Sequence, residues 1–136
     1  PISEYPPIQA GDRWLGFPEQ RAELMDFITG EGLSGVLFVA GDVHMNALSR
    51  VGLDGPWASV LEILGGPGGS TLNFAGPLLR GAVNFVHADA QWACTRMEFS
   101  VDGTAVLHVI NEDDEDIMVA TIDVHGEVLS LTTSYE

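Results

Sequence analysis

The sequence predicts an α/β (α+β) fold of mostly antiparallel strands with one or two helices, and three observations carry that expectation. An early segment places its apolar residues at helical spacing, a continuous apolar run of strand length follows it through glycines, and the remainder breaks into short apolar runs between turn residues. With 136 residues, 46 % of them hydrophobic and 18 % charged, the chain is expected to fold around one core as a single domain over 1–136.

Residues 1–17 carry Pro1, Pro6, Pro7, Gly11 and Gly16 and read as an irregular arm. At Pro18 the pattern changes. Proline suits the first helical position, Ala22, Leu24, Met25, Phe27 and Ile28 recur at helical spacing, and Glu19 lies near the positive end of the helix dipole. The expected helix runs over about 18–29, with Gly30 and Gly32 as its stop. Val36-Leu37-Phe38-Val39-Ala40 is apolar throughout rather than alternating, which predicts a central strand covered on both faces. Ala47–Val51 and Ser59–Leu64 flank the turn residues Leu53-Asp54-Gly55-Pro56 and form a hairpin. Residues 65–82 are glycine-rich and irregular, with a short helix near Pro77–Arg80. Strands are then expected at Val83–His87, Trp92–Ser100, Thr104–Ile110, Ile117–Val124 and Glu127–Thr132.

Twenty acidic residues against five arginines and no lysine give a formal net charge of −15. Nucleic acid is excluded as a partner, because a polyanion needs a basic face from which counterions are released. Solubility, or a saline setting, accounts for the same excess, and cations are the partners it favours. No apolar stretch approaches the roughly 20 residues of a membrane-spanning helix, so no membrane partner is expected. The single Cys94 excludes an internal disulfide and, lying in a strand-like run, is expected to be a buried inert thiol. The start at Pro1 rather than Met leaves localisation open.

The sharpest chemical signal is Gly41-Asp42-Val43-His44, at the carboxyl end of the apolar run, where α/β folds often place sites. In an extended stretch residues i and i+2 point to one side, so Asp42 and His44 would converge on a metal ion. One oxygen and one nitrogen donor suit zinc, iron or manganese better than an ion that takes only oxygen. The plainer reading has Asp42 capping a turn and His44 in an ordinary hydrogen bond.

Asp12-Arg13-Trp14, Gly16-Phe17-Pro18, Arg21 within a helix and an apolar strand ending in Gly-Asp-Val-His form an ordered set. Together they resemble the C-terminal part of the PhoD-like alkaline phosphatases, a branch of the calcineurin-like metallophosphoesterases. The clear match covers about residues 12–46, and a looser one runs to about 125. The resemblance implies a partial metallophosphoesterase-like β-sandwich layer, with a dinuclear centre of divalent or trivalent ions (iron, calcium, zinc or manganese) that hydrolyses phosphate esters of small molecules. By position it makes His44 and Asp42 the catalytic and metal-binding residues, with Asp42 where wider relatives have the first His of Gly-His-x-His. Of the Asp-x-His or Asp-x-Asp, Gly-Asp and Gly-Asn-His-type segments that carry most ligands in that superfamily, none precedes residue 41 apart from the bare pair Gly11-Asp12. The chain thus looks like the trailing half of a phosphoesterase domain, incomplete alone and requiring a complementing chain or an alternative ligand set; a homo-oligomer would close an exposed sheet edge but does not supply missing ligand types by doubling. Downstream, Gln91-Trp92-Ala93 stands where relatives have Arg-Gly-Tyr.

His87-Ala88-Asp89 repeats the i, i+2 pairing and is weighed as a completing pair against a strand end with a solvated Asp and a hydrogen-bonded His. His108 and His125 read as structural. Gly65-Gly66-Pro67-Gly68-Gly69-Ser70 lacks the Gly-Lys-Ser/Thr of a P-loop and reads as a mobile connection. The acidic run 111–116 lacks the turn glycine of an EF-hand and reads as a solvated hairpin loop. Two functions follow: a metal-dependent phosphoesterase fragment or subunit, or a non-enzymatic acidic binding or assembly module derived from the same fold. A third reading is that the natural protein is longer.

Overall fold

The computed structural model describes residues 1–3 and 13–135. Most of the expected irregular arm, and with it Asp12, lies outside the described residues. Among the described residues the element order is one helix and eight strands: α1 (Pro18–Gly30), β1 (Leu37–Ala40), β2 (Asn46–Arg50), β3 (Leu61–Leu64), β4 (Phe85–Asp89), β5 (Ala93–Phe99), β6 (Ala105–Asn111), β7 (Asp116–Ile122) and β8 (Val128–Thr133). Short 3-10 turns stand at Trp14–Gly16, Pro56–Ser59 and Gly76–Leu79. The last replaces the short helix expected nearby.

Two four-stranded sheets form the sandwich, in the orders β1-β3-β2-β4 and β5-β6-β7-β8. All pairings are antiparallel except β1 with β3. Leu48, Leu61 and Ile63 of the first sheet meet Leu107, Val109, Met118 and Ala120 of the second in the main core. Burying the larger of these, the leucines, Ile63, Val109 and Met118, stabilises by about 1.5–3 kcal/mol each.

The opposite face of the first sheet is covered by two further clusters. Arg21, Met25 and Ile28 form the buried stripe of α1 at helical spacing. The two apolar members pack with Ile2, Val51 and Val60. The helix stops as expected: Gly32 takes φ +65°, and Leu33 N–H returns to the Ile28 carbonyl. Beside it, Val43, Met45 and Ala47 pack with Leu79, Phe85 and Ala88.

Two buried charges tie the first residues to this face. Glu62, on the central strand β3, accepts hydrogen bonds from the backbone N–H groups of Ile2 (2.7 Å) and Ser3 (3.0 Å). Arg21 donates to the carbonyls of Ile2 (2.7 Å) and Val51 (3.0 Å), with its guanidinium 5.1 Å from the Trp57 ring centre.

One expectation about the core is corrected. The Val36–Ala40 run supplies an edge strand among the described strands, since β3 takes the central place beside it. Leu37 packs toward the second sheet and Phe38 toward α1, which explains why the sequence shows no alternation. Val39, with no strand beyond it, is 60 % exposed. Among the described residues no helix is long and apolar enough to cross a membrane.

Candidate metal centre

The topology dictates the shape of the Gly-Asp-Val-His segment. β1 and β2 run in opposite directions with β3 between them. Residues 41–45 must therefore reverse the chain and step across two strand spacings of about 4.8 Å each. Asp42 takes φ +70° and His44 φ +60°. The expected extended geometry is thus absent, and the i, i+2 argument for convergence does not apply here. Both residues instead stand on a tight turn, Asp42 exposed and His44 half-buried.

Left-handed backbone costs a non-glycine residue about 1–2 kcal/mol, least for Asp, Asn and His. Strain of this kind concentrates at functional sites. Asp42→Gly should accordingly leave stability unchanged or raise it by up to about 1 kcal/mol, measured by urea unfolding. A clear loss would show that the carboxylate itself holds the turn.

A second loop clasps this turn. Asn73 donates its backbone N–H to the His44 carbonyl (2.8 Å) and its side-chain amide to the Val43 carbonyl (3.0 Å). Its Oδ1 accepts from Ala75 N–H at 3.1 Å. Nothing in the sequence singled out Asn73; an Asn two residues before an Ala-Gly turn is the one trace of its role. Gly66 belongs to the same end of the sheet: a Cβ there would lie 2.1 Å from Asn46 Oδ1 and 2.7 Å from the Ala93 carbonyl oxygen. Asn46 is fully buried, donates to the Gln91 carbonyl at 3.0 Å, and leaves Oδ1 without a hydrogen-bond partner.

Asp89 is not solvated at the strand end, whereas His87 is hydrogen-bonded as the plainer reading expected. Both are buried. Asp89 is bound by Arg80 at 2.8 Å and by Ala90 N–H at 2.7 Å. The Tyr135 hydroxyl meets His87 Nδ1, their rings stack, and the Arg80 guanidinium sits 3.7 Å from the Tyr135 ring centre. Burial, with Arg80 adding to it and Asp89 opposing, lowers the His87 pKa to about 4; burial likewise pushes Tyr135 up to about 12. Tyr135 therefore donates to a neutral imidazole.

That assignment has a pH signature. Below the ordinary histidine pKa of 6.5 the unfolded chain takes up a proton that folded His87 refuses until about pH 4. Stability falls as pH drops through this window, by up to about 3 kcal/mol. Unfolding at pH 7 and pH 4 should show a smaller loss in His87→Gln than in the natural sequence. Equal losses would contradict it.

The remaining candidates sort by contact. His108 Nδ1 lies 3.0 Å from Asp116, on the neighbouring strand, and His125 precedes the Gly126 turn. The acidic run forms the β6–β7 hairpin turn around Asn111, whose side chain accepts from Asp113 N–H and Glu115 N–H. Cys94 is exposed on edge strand β5, which corrects the expectation of a buried thiol. It lines an open groove of about 440 Å³ with Gly68, Gly69, Trp92, Ile110 and Glu112, and Asp42 and His44 take no part in that lining.

Asp42 and His44 fit a transition metal in kind, one carboxylate and one imidazole. They fall short in number: a catalytic zinc site uses three protein ligands, and the described residues contain no group of three or more His, Cys, Asp or Glu able to hold an ion.

No family model matches the chain. Over 48 residues, 35 % of this chain and 8 % of the relative, it is 38 % identical to alkaline phosphatase D of Bacillus subtilis (strain 168). A solved structure of PhoD superposes on 90 % of this chain with a TM-score of 0.69 at 19 % identity. The chain spans 27 % of that PhoD chain. In sequence over about a third of its length and in fold over nine-tenths of it, this chain resembles part of a PhoD-like alkaline phosphatase, as its motifs implied.

Proposed function

We propose that the chain carries part of the site of a metal-dependent phosphoesterase, with Asp42 and His44 as two ligands and the remaining donors supplied from outside the described residues. The observation that supports this best is the Asp42–His44 turn, with two left-handed non-glycine residues, in a chain with the fold of part of PhoD. Metal ions in such sites polarise a phosphoryl oxygen and supply a nucleophile at neutral pH. The chain's own contribution is to hold one exposed carboxylate and one half-buried imidazole on a turn braced by Asn73. A complementing chain, a second copy or further polypeptide would complete the set, with a phosphate ester as substrate and iron, calcium, zinc or manganese as the ion.

Inorganic phosphate tests this without requiring turnover. The manganese-loaded chain should broaden the ³¹P signal beyond free Mn²⁺, and Asp42→Ala/His44→Ala should abolish the excess. The isolated chain should show no measurable hydrolysis of p-nitrophenyl phosphate. Hydrolysis or phosphate binding that survives in the double variant would overturn the proposal.

One observation favours a second reading, a non-enzymatic acidic binding or assembly module: the described residues hold no three-ligand group. On that reading the ³¹P signal is the same with and without the two side chains.

A further inference from the structure

Asn73 is the residue outside the Gly-Asp-Val-His segment that engages it most directly. Its backbone N–H meets the His44 carbonyl at 2.8 Å, and its side-chain amide meets the Val43 carbonyl at 3.0 Å. Those two peptide groups lie on either side of the His44 α-carbon, so the two bonds together fix where the imidazole leaves the backbone. They also oppose relaxation of a left-handed histidine toward an extended conformation. The third bond, from Ala75 N–H to Asn73 Oδ1 at 3.1 Å, sets the amide orientation: Oδ1 faces Ala75 and the NH₂ group faces Val43. With the oxygen so committed, the flipped amide would oppose carbonyl to carbonyl on one side and N–H to N–H on the other.

We infer that Asn73 is a positioning residue for His44 and Asp42: it holds the strained turn between β1 and β2 in the left-handed arrangement from which both side chains leave the backbone. This rests on the reading of the turn as part of a metal site, but its first readout is independent of metal. Aspartate is nearly isosteric, can still accept from Ala75 N–H, and cannot donate to Val43.

The test compares the natural chain, Asn73→Asp and Asn73→Ala by backbone amide NMR, then by Mn²⁺ titration. In Asn73→Asp the Ala75 amide should keep its hydrogen-bonded position, reporting an intact loop. The Asp42 and His44 signals, and their φ-dependent couplings, should move away from left-handed values. Mn²⁺ affinity at the turn should fall about tenfold, the equivalent of 1.4 kcal/mol. Asn73→Ala should show the same changes at the turn and also lose the Ala75 bond.

Unchanged Asp42 and His44 couplings in Asn73→Asp would overturn the inference and leave Asn73 as a cap for its own loop. If the couplings move but Mn²⁺ never reaches the turn even in the natural chain, positioning stands and the metal-site reading falls. Couplings that hold while Mn²⁺ binds equally well to all three proteins would overturn positioning and leave the metal-site reading intact.

Discussion

Replacing Glu62 by alanine is expected to destabilise the chain by about 3–5 kcal/mol, the range for removing one partner from a buried, hydrogen-bonded charge. Glu62 is 1 % exposed on the central strand β3 and receives the N–H groups of Ile2 and Ser3. Truncation leaves two donors without an acceptor in a region that excludes water, and it opens space against the cluster of Ile2, Met25 and Ile28. Glu62→Gln keeps the shape and one accepting oxygen, so it should cost less. Urea unfolding of both variants measures the difference. Equal stability in the alanine variant would mean that the first residues do not pack on the sheet in solution.

The second large effect is expected at Gly66. Its Cα lies so close to Asn46 and Ala93 that an alanine Cβ would stand 2.1 Å from Asn46 Oδ1 and 2.7 Å from a backbone oxygen. Asn46 is fully buried, so its amide has nowhere to swing, and the backbone of β5 cannot yield without disturbing the inter-sheet core. Overpacking of this kind costs about 1–3 kcal/mol, and contact with a backbone oxygen puts this case at the upper end. Because Asn46 follows the Asp42–His44 turn directly into β2, the same substitution should shift the amide signals of that turn. Gly69→Ala, where no atom lies within 4 Å of the added carbon, is the control and should change neither. Wild-type stability in Gly66→Ala would refute the close packing.

Much of the fold was legible because each element carries its own local signal. Pro18 and the stripe ending at Ile28 mark α1, and Asp102-Gly103 and His125-Gly126 mark the turns beside β6, β7 and β8. What was not legible depends on which strands become neighbours. The sequence of β1 cannot announce that β3 will insert between β1 and β2, and that insertion makes β1 an edge and bends Asp42 and His44 out of an extended path. The burial of His87 and Asp89 is equally non-local, since Arg80 comes from the preceding loop and Tyr135 from beyond β8. The resemblance to part of PhoD was legible for a different reason. It rests on an ordered set of short motifs, and the superposition over 90 % of the chain agrees with it.

If Asp42 and His44 act together as metal ligands, adding Mn²⁺ to the isotope-labelled chain should reveal it through paramagnetic broadening of each backbone amide. Residues 41–45 should broaden at the lowest metal concentration, and Asp42→Ala/His44→Ala should abolish this effect while the fold persists. Sharp signals at 41–45 while the acidic hairpin 111–116 broadens, or an effect at 41–45 that survives in the double variant, would contradict it.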